Sequence, residues 1–266
     1  MFKRICLLFM SVLLVACGHS AGEPAAAKPN RGPVVLDIGH QSTSGGACTP
    51  DGKLNEYAFW CRYAGEVRAV LEAAGYPCVI LNRGNAPTNK QLAEYCRQAG
   101  VVQLKRPDKG AVRYPSVHYP AHIGCGMVSA DKAIDLKARC VLFLHLNSVG
   151  KGWSSTPPTG LIICNRVHGK ALAESVCAAM RQEILDRPGG MPNAGKGIKV
   201  LPRYIGSQPS AGWMNALDEA GIPAIVFEAV YANNRGHVEF IRNDANARKL
   251  ARTIAEGMVN WLRKTE

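Results

Sequence analysis

The sequence predicts an α/β fold, a single domain with a doubly wound, mostly parallel central sheet flanked by helices. Three observations predict it. Apolar runs of strand length alternate with segments whose apolar residues recur at helical spacing, the pattern of successive βα units. The runs are apolar on consecutive residues, as expected of strands covered on both faces. Three of them also end on a polar residue that can do chemistry. Val34-Val35-Leu36-Asp37-Ile38-Gly39 leads to His40, Val141-Leu142-Phe143-Leu144 to His145, and Pro223-Ala224-Ile225-Val226-Phe227 to Glu228. Open α/β sheets bind ligands in the crevice outside the carboxyl ends of their strands.

The elements follow in order. Residues 34–39 form the first buried strand. The segment 41–53 is rich in Ser, Thr and Gly, so its backbone can approach a ligand closely. Asn55 caps a helix that begins at Glu56. Ala58, Phe59, Ala64, Val67, Val70, Leu71 and Ala74 fall on its apolar face, and Gly75 ends it. Residues 78–81 make the next strand and 89–99 a short helix. Residues 100–128 break the pattern with Pro107, Pro115 and Pro120, the aromatics Tyr114 and Tyr119, and His118 and His122. A long irregular insertion in a compact domain is usually functional or disordered; if functional, it is a lid or a substrate loop. Pro120 lies between the two histidines and opposes the helix that would align them, so they read as substrate-loop or surface residues. A helix at 130–139 then feeds the His145 strand. Strands at 161–164 and 198–201, and the strand that ends at Glu228, alternate with helices at 169–185 and 212–220. A Gly/Pro-rich loop at 188–197 interrupts them, and an amphipathic helix at 246–263 closes the domain.

The first residues read differently. Lys3 and Arg4 precede an apolar run from Ile5 to Val15, too short for a permanent membrane helix and suited to a secretory leader. Leu14-Val15-Ala16-Cys17 resembles a bacterial lipobox, which makes 1–16 a signal peptide and Cys17 the lipidated first residue of the mature chain. Gly18, not Asp, follows it, which by the usual sorting pattern points to the outer membrane. Residues 17–32, with little apolar beyond alanine and several Pro and Gly, form a flexible tether. The folded domain is expected at 33–266. The chain is thus expected in the periplasm, held to the membrane through its lipid anchor.

Beyond Cys6 and Cys17 there are eight cysteines, an even count that suggests disulfides in an exported protein. Cys96 and Cys125 flank the irregular stretch, and a bridge between them would staple it. No C-x-x-C pair occurs, which argues against a zinc ribbon or a thioredoxin-like site. The formal charge is +12, or +10 once Lys3 and Arg4 are removed, so an anionic partner is favoured. An exported chain without the aromatic-basic pattern of an RNA-binding sheet does not suit nucleic acid. Anionic lipid headgroups and a carboxylate-rich cell wall suit it better.

His40, Glu56 and His145 can supply two neutral imidazoles and a carboxylate, leaving one zinc position free for water. Such an ion lowers the pKa of water and polarises a carbonyl. Glu228 is then the general base, taking a proton from water and returning one to the leaving amine. Asp37 and Asn147 are placed to orient the metal-binding side chains.

Four motifs together resemble the zinc-dependent N-acetylmuramoyl-L-alanine amidases of the amidase-3 type. The family's opening Asp-Pro-Gly-His-Gly is matched by Asp37-Ile38-Gly39-His40-Gln41. Its helix-opening glutamate is matched by Glu56 in Leu54-Asn55-Glu56. Its Ser-x-His-x-Asn is matched by Leu144-His145-Leu146-Asn147-Ser148. Its Val-Glu-x-x-Phe-x-x-Asn is matched by Phe227-Glu228-Ala229-Val230-Tyr231-Ala232-Asn233-Asn234. Gly197-Ile198-Lys199 also resembles the segment before the family's last strands, and the likeness runs unbroken over about 34–262. Ile38, Gln41 and Leu144 depart from the pattern without touching a proposed ligand.

The resemblance implies zinc on His40, Glu56 and His145, with Glu228 as catalytic acid/base. It also implies peptidoglycan as substrate and, in some relatives, a segment that blocks the zinc until a partner protein displaces it. Residues 100–128 could play that part or line the substrate groove. The competing expectations are a zinc peptidase acting on stem peptides and a non-catalytic peptidoglycan-binding lipoprotein.

Overall fold

Strands buried on both faces and helices with one apolar face assemble as the alternation predicts. A computed structural model describes residues 32–104, 124–156, 158–185, 187–193, 197–201 and 211–266. The leader 1–16, Cys17 and all of the tether but its last residue lie outside the described residues. So do 105–123 of the irregular insertion, with His118 and His122.

Seven strands and seven helices are described. They are β1 (Val34–Ile38), α1 (Glu56–Ala73), β2 (Cys78–Arg83), α2 (Lys90–Gln98), β3 (Val102–Leu104), α3 (Gly124–Asp135), β4 (Cys140–Leu144), β5 (Leu161–Cys164), α4 (Lys170–Met180), β6 (Lys199–Leu201), α5 (Ala211–Glu219), β7 (Ala224–Glu228), α6 (Arg235–Arg242) and α7 (Asp244–Thr265). A single π turn, Arg181–Leu185, extends α4. None of the described helices is long and apolar enough to cross a membrane.

The sheet order is β3-β2-β1-β4-β7-β5-β6. All neighbours are parallel except β5, which runs antiparallel to β7. From β1 the chain winds outward through β2 and β3, then returns to place β4 on the other side of β1. That reversal opens the crevice in which such sheets bind ligands, here between the ends that carry His40 and His145.

The strand side chains divide between two cores. Leu36, Ile38, Leu142, Leu144 and Phe227 face α1, α4 and α7, with Trp60, Leu71, Val176, Leu250 and Met258 packed over them. Val35, Val141, Phe143 and Val226 face α3 and α5, where the Trp213 ring lies edge-on to Phe143 at 4.0 Å. Asn55 caps α1 as expected, its side chain accepting from Ala58 N at 2.8 Å.

Several boundaries move. At the edges of the expected insertion 100–128, β3 adds a short edge strand and α3 begins at Gly124, not near residue 130. Gly124 and Gly126 argue locally against a helix, but tertiary packing requires one of them: a Cβ on Gly126 would sit 2.6 Å from the Trp213 ring. Helix α6, ahead of the expected C-terminal helix, is an addition. The structure shows no bridge at Cys48, Cys61, Cys78, Cys96, Cys140, Cys164 or Cys177; the expected Cys96–Cys125 bridge falls on a side chain outside the described residues. Cys96 and Cys61 are buried in the same core.

Candidate metal centre

The site is assembled from the carboxyl ends of adjacent strands. After β1 the chain turns sharply at His40, whose φ is 65°. This left-handed conformation is uncommon for a residue with a Cβ. The buried Asn82 at the end of β2 holds the turn, donating its Nδ2 to the carbonyls of Ile38 (2.9 Å) and His40 (3.2 Å). Tyr57 OH in turn reaches Asn82 Oδ1 at 3.4 Å. From the neighbouring strand, His145 N donates to Phe227 O at 3.1 Å and Gly39 N donates to Leu144 O at 3.1 Å. The strand ends are thereby locked in register. Gly39 is needed as glycine, since a Cβ there would lie 2.5 Å from His145 Cε1.

Glu56 comes from the first turn of α1, where the helix dipole favours a carboxylate. It is 1 % exposed. Its Oε2 accepts from Ala47 N at 2.8 Å, and the 41–53 loop folds back over the helix start through Glu56 N to Ala47 O (2.9 Å) and Tyr57 N to Gly45 O (3.1 Å). His40 Nε2 lies 3.3 Å from Glu56 Oε2, and His145 Nδ1 lies 2.7 Å from Glu56 Oε1. Burial by itself pushes the Glu56 carboxyl up. The His145 and His40 imidazoles against it outweigh burial and hold it at about 2, so it is a carboxylate at neutral pH.

This trio is the cluster among the described residues that can hold a metal ion, with ligand atoms all within 4.8 Å of one another. Two observations fit a cation there. His145 Nε2 is buried without a hydrogen-bond partner, and Glu56 Oε1, close as it is to the His145 ring, is outside hydrogen-bond geometry. Donors about 2.0–2.1 Å from a tetrahedral zinc stand about 3.3 Å apart, as His40 Nε2 and Glu56 Oε2 do. Two imidazoles and one carboxylate suit zinc better than the all-oxygen sets of calcium or magnesium.

Glu228 ends β7, one strand over from His145. Burial pushes its carboxyl above the usual range, and the Glu56 charge adds to the rise, while His145 and His40 oppose it. Asn147 Nδ2 donates to Glu228 Oε2 at 3.3 Å. The Asn147 backbone is fixed by Asn147 N to Val230 O (2.7 Å) and Ala232 N to Asn147 O (2.8 Å). Asn147 therefore holds the Glu228 carboxylate, whereas the sequence placed it beside a metal ligand. Asp37 is fully buried and takes the Arg83 guanidinium at 3.2 Å, so its partner is a β2 cation and not an imidazole.

Sequence reasoning passed over Asn82, Arg83, Tyr57 and His237. Asn82 and Arg83 could have been found, since they close an apolar strand with polar residues just as His40 and Glu228 do. His237 lies outside the metal trio but steadies the turn after Glu228: its Nδ1 accepts from Tyr231 N at 3.0 Å and its Nε2 lies 2.6 Å from Pro192 O.

Comparison with known proteins follows this geometry. A family profile described as N-acetylmuramoyl-L-alanine amidase (Amidase_3) matches residues 34–260. No curated protein matches the sequence. Among solved structures, the fold resembles the CwlD amidase of Clostridioides difficile, solved in complex with the GerS lipoprotein, with a TM-score of 0.56 and 14 % identity over 88 % of this chain and 100 % of that one. It also resembles the catalytic domain of CwlV from Bacillus (Paenibacillus) polymyxa, with a TM-score of 0.54 and 18 % identity over 87 % and 98 % of the two chains. The amidase Ami1 of Mycobacterium smegmatis follows with a TM-score of 0.52 and 18 % identity over 88 % and 98 %.

Proposed function

The chain belongs to the N-acetylmuramoyl-L-alanine amidase family, and from that premise we propose that it is a zinc-dependent hydrolase of peptidoglycan. It cleaves the amide between the lactyl group of N-acetylmuramic acid and the L-alanine of the stem peptide. The observation that carries this reading is the convergence of His40, Glu56 and His145 with a buried carboxylate, Glu228, on the crevice where the sheet reverses.

His40, Glu56 and His145 would hold the zinc. When bound, the ion polarises the scissile carbonyl and lowers the pKa of water beside it. The rest is done by the chain. Glu56, held as a carboxylate, offsets part of the ion's charge. Glu228 takes the proton of the attacking water on its carboxylate and delivers it to the departing alanine nitrogen. The raised proton affinity of its buried carboxyl suits both steps. Asn147 Nδ2 holds Oε2 of Glu228 in place.

The location belongs to the same proposal. The leader and lipobox would export the chain and lipidate Cys17, leaving the domain on a tether at the periplasmic side of the outer membrane, within reach of the wall. Its excess of basic residues suits that carboxylate-rich partner. A protein activator is required if residues 100–128 block the zinc and is not if they line the substrate groove.

Purified sacculi test the chemistry. Glu228→Gln is expected to keep zinc and lose digestion; wild-type digestion by this variant overturns the assignment of the base. Intact stem peptides beginning with L-alanine, released from bare glycan, are the expected products. Truncated peptides would mean a stem-peptide peptidase, and sacculus binding without products or zinc a wall-binding protein.

A further inference from the structure

Helix α2 is held to the domain in an unusual way. It is nine residues long, and the side chain it buries is that of Cys96. Helix α1 lies against it. A Cβ on Gly65 of α1 would sit 3.3 Å from Ala99 Cβ, the Arg62 guanidinium lies 5.8 Å from the Tyr95 ring, and Arg68 Nη1 donates to Ala99 O at 3.0 Å. These contacts run in step. Position 62 meets 95, and positions 65 and 68 meet 99. One turn before Gly65 on α1 is Cys61, and three residues before Ala99 on α2 is Cys96, so the same register sets the two cysteines opposite each other. Gly65, with no side chain, lets the two helices approach closely at this level, as a bridge between them requires. Both thiols are buried, at 0 % and 5 % exposure, in one core. The proximity of the two thiols raises the proton affinity of Cys61 and lowers that of Cys96.

We propose that Cys61 and Cys96 are a disulfide pair, closed by thiol–disulfide exchange with a disulfide oxidant such as glutathione disulfide. The Cys96 thiolate attacks the S–S bond of the oxidant, forming a mixed disulfide and releasing one reduced thiol. The Cys61 thiolate then attacks the Cys96 sulfur of the mixed disulfide, forming the bridge and releasing the second. The cysteines lose two protons and two electrons, and the oxidant takes up both to become two thiols. Exchange takes place before α2 docks, or when it opens locally, because the docked thiols are covered. The bridge fastens α2, and through it the edge strand β3, to the helix whose first turn carries Glu56.

The full chain, held with a glutathione redox couple, alkylated while denatured and cut with trypsin, tests this. Cleavage after Lys53, Arg62, Lys90 and Arg97 isolates each cysteine on its own short peptide, Leu54–Arg62 and Gln91–Arg97. These peptides are expected joined without reductant and separate with it. Both cysteines alkylated, or Cys96 joined to another cysteine such as Cys125, overturns the proposal. Hydrogen exchange gives an independent reading. Amides of residues 90–98 are expected to exchange at least tenfold faster after reduction, and Cys61→Ser/Cys96→Ser is expected to match the reduced wild type whatever the oxidant. Equal exchange in the two redox states of the wild type overturns the anchoring role. Neither measurement uses hydrolysis, so its failure and that of the amidase reading are distinct.

Discussion

Replacing His237 with asparagine isolates one buried titration in the turn behind Glu228. The His237 side chain is fully buried, and burial drops its pKa from 6.5 to about 4, with the Pro192 carbonyl pulling slightly the other way. The tautomer explains the direction. Nδ1 accepts from Tyr231 N–H, so Nε2 carries the hydrogen donated to Pro192 O, and a second proton on Nδ1 would face an N–H. In the unfolded chain the ring protonates near 6.5. Between 6.5 and about 4 the unfolded state therefore binds the extra proton, and stability present above 6.5 is lost as the pH falls through that window. At 1.36 kcal/mol per unit the loss reaches about 3 kcal/mol. The asparagine Oδ1 takes the place of Nδ1 toward Tyr231 N but never titrates, and it gives up the Pro192 contact, a cost of about 1–3 kcal/mol at every pH. The wild type is thus more stable at neutral pH, and its advantage shrinks by about 3 kcal/mol toward pH 4. Urea unfolding of both proteins across this range measures the gap, in which all shared carboxylates cancel. A gap constant within about 0.5 kcal/mol refutes the neutral, buried imidazole.

Two further substitutions probe the metal centre and its support. Gly39→Ala places a Cβ 2.5 Å from His145 Cε1 and is expected to weaken zinc at least tenfold, about 1.4 kcal/mol, with the far-UV circular dichroism unchanged. Competition against a chelating dye measures it, and wild-type affinity would mean that the ring can give way. Asp37→Asn removes the carboxylate facing the buried Arg83 and is expected to cost about 3–5 kcal/mol in urea, while the folded variant binds zinc one to one. Stability within about 1 kcal/mol of wild type, or loss of zinc from folded protein, would return Asp37 to the role of orienting a ligand.

How much was legible depends on where each residue's constraint comes from. Strands β1, β4 and β7 are central and covered on both faces, so each had to be an unbroken apolar run, and the polar residue closing it stood out. The two-residue extension of β2 to Arg83 carried the same signal. It was lost because Asn82 and Arg83 are buried polar groups whose partners, the His40 and Ile38 carbonyls and Asp37, sit on another strand. Strand β3 has three residues at an edge, with Val102 exposed, too few to show a period. Helix α6 is only eight residues and ends where Asn243 turns extended, so its apolar side spans barely two turns. The reversed direction of β5 had a sequence counterpart: no helical spacing separates the His145 strand from the strand at 161–164. A parallel neighbour ordinarily needs a crossover of a dozen residues or more, usually a helix.

The departures from the family motif bear on the same distinction. Ile38 and Gln41 flank His40 where proline and glycine are usual, yet the turn between them is left-handed. A residue with a Cβ pays about 1–3 kcal/mol for that conformation, so something else must impose it. Here it is the polar stack behind the strand end, in which Tyr57 reaches Asn82 and Asn82 holds the carbonyls on both sides of Gly39. On the other side Gly46, itself at a φ of 74°, lies so close to Glu56 Oε2 and the His40 ring that no side chain fits. The flanking side chains are free to vary because the backbone is fixed from β2 and α1. The position of His40 against Glu56 is therefore a property of three segments far apart in sequence, of which the motif around His40 is only one.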